Sequence, residues 1–134
     1  MKVTVTLPLP HKHLSPNARV HHMAKHRVKS TARLLAKLEA INSMNRMDIA
    51  THGENVWKWE TAVVRCMFYF RDTRRRDADN LLASMKTYFD GIADSGLIGD
   101  DSGLTHLPVF TAKDGKNPRV DVVIERGTLT QEQS

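Results

Sequence analysis

The stretch WKWETAVVRCMFYF, residues 57–70, constrains the fold more than any other part of this chain. Its β-branched and aromatic residues read as a strand, and its second half is apolar enough to be buried on both faces. Such a strand needs neighbours along its edges and apolar cover above it. Residues 2–9, KVTVTLPL, supply a second strand, in which valine or leucine alternates with threonine or lysine. Pro8 and Pro10 end it, because proline offers no donor to a ladder. HKHLSPNARVHH, residues 11–22, then reads as a loop built on the turn formers Ser15, Pro16 and Asn17.

The cover comes from two helices. From about residue 20 to 47 the period turns helical, with Val28, Ala32, Leu35, Leu38 and Ile41 recurring every three or four residues. Lys25, Lys29, Arg33 and Lys37 form a second stripe at four-residue spacing. Polar residues 48–56, DIATHGENV, connect this helix to residues 57–70. A second helix is predicted over 79–93. Two short strands follow, 104–112 and 120–126, joined by a hairpin-type turn, KDGKNP, at 113–118. The order β-α-β-α-β-β predicts an α/β single-domain two-layer sandwich, a mixed sheet packed by two helices. With 134 residues the chain suits one domain over 1–126, ending in a polar tail, GTLTQEQS, at 127–134.

No apolar run approaches the ~20 residues that span a bilayer, so no membrane partner is expected. The N-terminus lacks the apolar core of a signal peptide, and a lone cysteine, Cys66, builds no disulfide framework, so a cytoplasmic residence is expected. The net charge of +5 favours acidic partners, nucleic acid above all. That charge is segregated. Residues 11–38 carry seven Lys or Arg, five of the seven histidines and no carboxylate, while Asp90, Asp94, Asp100 and Asp101 lie far downstream.

The second helix has two faces. At about 100° per residue, Leu81, Met85, Tyr88, Phe89 and Ile92 fall in one apolar sector. Asp79, Lys86 and Asp90 cluster on the opposite side. Asp77 stands where an aspartate caps a helix N-terminus. A cap followed by an ordinary Lys86–Asp90 pair would explain this pattern without chemistry. RRRDADN, residues 74–80, carries more than a cap needs: two aspartates flank one alanine behind three arginines. A further pair, Asp100-Asp101, arrives in the glycine-flanked loop LIGDDSGL. Magnesium takes hard oxygen ligands and keeps several waters, so two or three carboxylates from different elements suit it. Phosphodiester cleavage needs the activated water and charge neutralisation of such an ion. Arg74, Arg75, Arg76 and Lys86 would add cationic stabilisation.

RRRDADNLLASMKTYFDGIADSGLIGDDS, residues 74–102, resembles the core motif of the RusA family of Holliday junction resolvases, often carried by prophages. That family shows Arg-Asp-x-Asp-Asn-Leu, a downstream lysine, and an acidic pair before a small residue. LPLPHKHLSPNARVHH, residues 7–22, is similar to its proline-rich opening with a Ser/Asn loop and basic helix. The resemblance implies that Asp77, Asp79 and Asp101 bind Mg2+ as catalytic residues. Lys86, which keeps its spacing to Phe-Asp-Gly, matches the motif lysine. It further implies a homodimeric hydrolase, a crossover junction endodeoxyribonuclease, that nicks two strands of a four-way junction symmetrically in DNA recombination and repair. Its products would carry 5′-phosphate and 3′-hydroxyl ends.

Other features stay open at this level. The histidines at 11, 13, 21, 22 and 26 match no closed metal site, but beside Lys12, Arg19, Lys25, Arg27 and Lys29 they suit a DNA-binding surface. Trp57 and Trp59 suit packing or a dimer edge, and Cys66 suits an inert core. Asp90 is expected to pair with Lys86, and Asp121 to be structural or exposed. Two rivals stand beside the resolvase: a non-catalytic binder of branched DNA, and a nuclease acting on flaps, forks or RNA.

Overall fold

The computed structural model describes residues 1–16, 18–19, 21–50 and 57–128, apart from the side chains of residues 48–50 and 101. Asn17, Val20, most of the expected 48–56 connection and all but the first two residues of the expected tail lie outside the described residues. The elements are β1 (Lys2–Leu7), a 3₁₀ turn (Lys12–Leu14), α1 (His22–Ala50), β2 (Ala62–Phe70), α2 (Ala78–Ala83), α3 (Lys86–Asp94), a second 3₁₀ turn (Asp101–Gly103), β3 (Leu104–His106), β4 (Phe110–Lys113) and β5 (Arg119–Arg126).

Strict alternation gives β1 one buried face, Val3, Val5 and Leu7, and one exposed face, Lys2, Thr4 and Thr6. Pro8 stops it two residues before the expected end. The strands form one five-stranded sheet in the order β1-β5-β2-β3, with β4 pairing β2 on the edge that β3 also uses. β5 runs antiparallel to both β1 and β2, whereas β3 and β4 run parallel to β2. This is the expected single-domain α/β fold, with α1 and α3 packing the mixed sheet. Among the described residues no helix is long and apolar enough to cross a membrane.

Four further details of the strands depart from the sequence expectation. β2 begins at Ala62, and Trp59 instead forms an isolated bridge to Ile98 while its ring is buried. Its second half is buried on one face rather than two: Cys66, Phe68 and Phe70 enter the core, Arg65 is exposed, and Met67 and Tyr69 are half-buried. The other face is partly covered by side chains, with the Arg119 guanidinium 4.1 Å from the Tyr69 ring centre. The expected 104–112 strand is interrupted around Pro108, leaving β3 and β4 as two pieces. Residues 113–118 make no hairpin, because β4 and β5 lie on opposite edges of β2. Their connection crosses the end of that strand, where the Asp114 N–H donates to the Phe70 carbonyl at 2.7 Å.

The helices show the other two corrections. The expected 79–93 helix is two helices, divided at Ser84–Met85. There the Ser84 hydroxyl donates to the Leu81 carbonyl at 2.7 Å, a back-bond that bends helices, and the Met85 N–H reaches only to the Leu82 carbonyl. Met85, Tyr88, Phe89 and Ile92 are buried as expected, and Leu81 is half-buried. On α1, Leu38 is 49% exposed and the buried stripe runs through Ala32, Ala36, Ala40 and Met44. Three of these four are alanines, and at Ala36 α3 comes very close. A Cβ added at Gly91 would lie 2.2 Å from the Arg33 carbonyl oxygen and 2.8 Å from Ala36 Cβ. Gly103 is pinned in the same way, a Cβ there falling 2.0 Å from the Glu60 carbonyl oxygen. These contacts hold α3 and the Asp101–Gly103 turn against the body of the fold.

Candidate functional site

Asp77 caps α2. Its Oδ1 accepts the N–H groups of Asp79 at 2.9 Å and Asn80 at 3.2 Å, which satisfies donors that the first turn leaves unpaired. Asp79 follows on that first turn with its side chain exposed. The bend at Ser84–Met85 then starts α3 at Lys86, whose Nζ lies 3.1 Å from Asp90 Oδ1. Asp90 thus pairs with Lys86 as expected. Asp79 and Lys86, on different helices, line one cavity of about 310 Å3 together with Leu82, Ala83, Phe89 and His106.

His106 is not among the site residues that the sequence pattern points to. It ends a three-residue strand, and only the register of β3 on β2 shows where it faces. It pairs opposite Val64, a core-facing position, so it stands on the helix side of the sheet. Its ring centre lies 4.9 Å from that of buried Phe89. The signal available in the sequence was its place two residues after Leu104 in a strand with period two.

The turn Asp101–Gly103 packs against α3. Just before it, Asp100 accepts the Ser102 N–H on its Oδ1 at 3.3 Å. Among the described residues no three His, Cys, Asp or Glu side chains gather into a metal-holding group. Asp101, the third carboxylate of the expected set, has its side chain outside the described residues. The donors that are described fit a hard cation in kind: Asp77 and Asp79 offer carboxylate oxygens two residues apart at one helix start.

The three arginines play different parts. Arg76 stacks on Phe70, its guanidinium carbon 3.7 Å from the ring centre. It also donates to Asp72 at 2.9 Å and to the Arg74 carbonyl at 2.8 Å. Asp72 is held below the usual carboxylate range, first by the Arg74 N–H and then by the Arg76 side chain. Arg74 and Arg75 are exposed. All three line a cleft of about 270 Å3 with Thr73, Thr111 and Lys113. Lys113, also unnoticed in the sequence, adds a fourth cation from β4.

The basic N-terminal region is partly committed to structure. His11 Nδ1 accepts the His13 N–H at 3.0 Å and His21 Nδ1 accepts the Met23 N–H at 3.2 Å, so these rings act as local caps. Burial, then His11 and Lys12, pushes the His13 imidazole below its ordinary pKa. Lys12, Arg19, Arg27 and Lys29 are exposed and Lys25 is half-buried. Arg33 leaves the expected basic stripe, because it holds Asp94 through two bonds of 2.6 and 2.9 Å. That contact raises the Arg33 pKa and lowers that of Asp94.

Elsewhere the structural readings hold. The rings of Trp57 and Trp59 lie 5.8 Å apart. Cys66 is buried, which pushes its thiol up to about 12. Asp121 accepts from Thr6 at 2.8 Å and from Arg119 at 3.3 Å.

No family model matches the chain. Among curated proteins, an uncharacterized protein of Xylella fastidiosa (strain Temecula1 / ATCC 700964) is 34% identical over 105 residues, which cover 77% of this chain and 63% of that protein. The chain thus spans less than two thirds of that relative's length.

Proposed function

We propose that this chain is a magnesium-dependent, structure-selective endodeoxyribonuclease of the RusA type, resolving Holliday junctions by paired symmetric nicks. The observation that carries the reading is the cavity shared by Asp79 and Lys86, carboxylate and ammonium in one solvent-open hollow. Three residues back along the chain, at most about 11 Å of backbone, Arg76 belongs to the cationic cleft. A metal-binding carboxylate beside cations is what hydrolysis of a polyanion requires.

In this reading Asp77, Asp79 and Asp101 hold the ion, which when bound supplies an activated water and neutralises charge on the phosphate. Lys86 lies beside the scissile phosphate and stabilises charge as it develops, while Asp90 fixes the ammonium through their pair. Arg74 and Arg75 grip the backbone. Arg76, tied to Phe70 and Asp72, braces the loop that presents them. Lys12, Arg19, Lys25, Arg27 and Lys29 extend the phosphate contacts. A homodimer, with one site in each subunit, suits a two-fold junction cut twice.

A second reading has an observation of its own. Asp77 does cap α2 and Lys86 does pair with Asp90, which is all that a non-catalytic binder of branched DNA would ask of them. Cleavage of a labelled synthetic four-way junction, with and without magnesium, separates the two. The nuclease gives paired, magnesium-dependent nicks that Asp79→Asn abolishes while binding survives. Tight binding without cleavage under any divalent metal refutes it. Flap, fork and RNA substrates run in the same assay test the alternative specificities.

A further inference from the structure

We infer that His106 is a further substrate-contacting residue of this site, donating a hydrogen bond to the phosphodiester held in the Asp79–Lys86 cavity. The inference rests on the nuclease reading above. Three observations carry it. The pairing of β3 with β2 turns His106 to the helix side of the sheet, toward α2 and α3 rather than the open face. There its ring lies against Phe89, which is itself buried, so the imidazole rests on a fixed apolar support instead of sweeping through solvent. And it lines the same cavity as Asp79 and Lys86 while remaining exposed, so an incoming ligand can reach it.

The chemistry of that cavity leaves a part for it. Leu82, Ala83 and Phe89 supply apolar wall, and on the nuclease reading Asp79 is committed to the metal. Lys86 shares its charge with Asp90 at 3.1 Å. A tetrahedral phosphodiester presents oxygens in several directions, and one shared ammonium meets only some of them. An imidazole carries an N–H donor in either protonation state, so a donor from the β3 side needs no change of charge. β3 follows directly on the Asp101–Gly103 turn, so its pairing with β2 fixes His106 three residues beyond Gly103.

The test measures junction cleavage at saturating DNA, the KM, the magnesium midpoint and the melting temperature for wild type, His106→Ala, His106→Asn and His106→Gln. Each amide keeps an N–H donor, near the position of one or the other ring nitrogen. Loss of the donor in His106→Ala is expected to lower kcat about 10- to 100-fold. KM should stay within about twofold, because one phosphate contact among many contributes little to binding. The magnesium midpoint and melting temperature should not move, and at least one amide should restore most of the rate. Wild-type kcat in His106→Ala overturns the assignment while leaving the nuclease reading intact, and so does equal loss in both amides. A tenfold shift in the magnesium midpoint would assign His106 to the metal and overturn the phosphate contact. A wild-type chain that cuts no junction overturns the nuclease reading, and this inference with it.

Discussion

Replacing Gly91 by alanine sets two effects of known sign against each other. In a helix interior, alanine is favoured over glycine by roughly 1 kcal/mol, so propensity alone predicts a more stable protein. The α1–α3 contact predicts the reverse. The new methyl would stand 2.2 Å from the Arg33 carbonyl oxygen and 2.8 Å from Ala36 Cβ. Carbon and carbonyl oxygen rest at about 3.3 Å or more, so the helices must part by about 1 Å. The nearest obstacle is main chain and cannot swing aside, which puts the strain at the upper end of the overpacking range, ~3 kcal/mol. The expected net loss is ~2 kcal/mol, a sizeable share of the ~5–15 kcal/mol that holds a typical domain together. Urea unfolding should show a lower midpoint with an unchanged slope. Adding Ala36→Gly removes the second clash but not the first, so it should recover only part of the loss. On the proposed nuclease reading, junction cleavage should also fall with the displacement, since α3 carries Lys86. A Gly91→Ala protein as stable as wild type would refute the close packing of α1 on α3.

Three further outcomes follow from single contacts. Asp77→Ala should cost ~1 kcal/mol through the lost cap, whereas Asp77→Asn caps as well and should keep the urea midpoint. If Asp77 also binds metal, Asn at that position should still abolish junction cleavage, and full activity would reduce Asp77 to a cap. Asp94 has its folded pKa lowered by Arg33, so its contribution is complete above the ordinary aspartate value near ~3.9 and is lost as pH falls through the folded value. The stability gap between wild type and Asp94→Asn should therefore be constant from pH 7 to about 5 and close below about pH 4, as urea midpoints at each pH would show. Cys66, buried with its thiol pushed up to about 12, should resist a disulfide-exchange reagent at pH 8 until the protein unfolds. Rapid labelling of the folded chain would contradict that burial.

What could be read from the sequence was local. Alternation in residues 2–7, the stripe Met85, Tyr88, Phe89 and Ile92, and the cap at Asp77 each depend on neighbours within a few residues, where periodicity and capping act. What was misread depends on distant partners. Leu38 has the spacing of a core residue, yet the buried face of α1 runs through Ala36, where Gly91 of α3 leaves room only for a small side chain. Arg33 has the spacing of a basic stripe, yet Asp94, 61 residues on, removes it. The 113–118 turn has hairpin chemistry, but β2 lies between the strands it joins. His106 was invisible for the same reason: its facing is decided by pairing with Val64 across the sheet.

The cap and the proposed metal site need not compete for Asp77. A capping carboxylate has one oxygen held by two backbone N–H groups, and this fixes the orientation of the whole side chain relative to α2. An ion binding two aspartates two residues apart needs such an anchor, since freely rotating carboxylates would lose side-chain entropy on closing around it. The arginine run follows the same logic. Arg76 is immobilised on Phe70 and Asp72, so it contributes less as a contact than as the brace that holds Arg74 and Arg75 outward from a defined backbone. On that account Arg76→Ala and Arg75→Ala should differ in kind. The first should loosen the loop and lower cleavage more than binding, because Asp77 and Asp79 hang from it. The second should weaken binding alone and reduce its salt dependence by the equivalent of about one phosphate contact. Identical losses of affinity in both, with cleavage unaffected in either once DNA is saturating, would show that the arginines act only as surface charge.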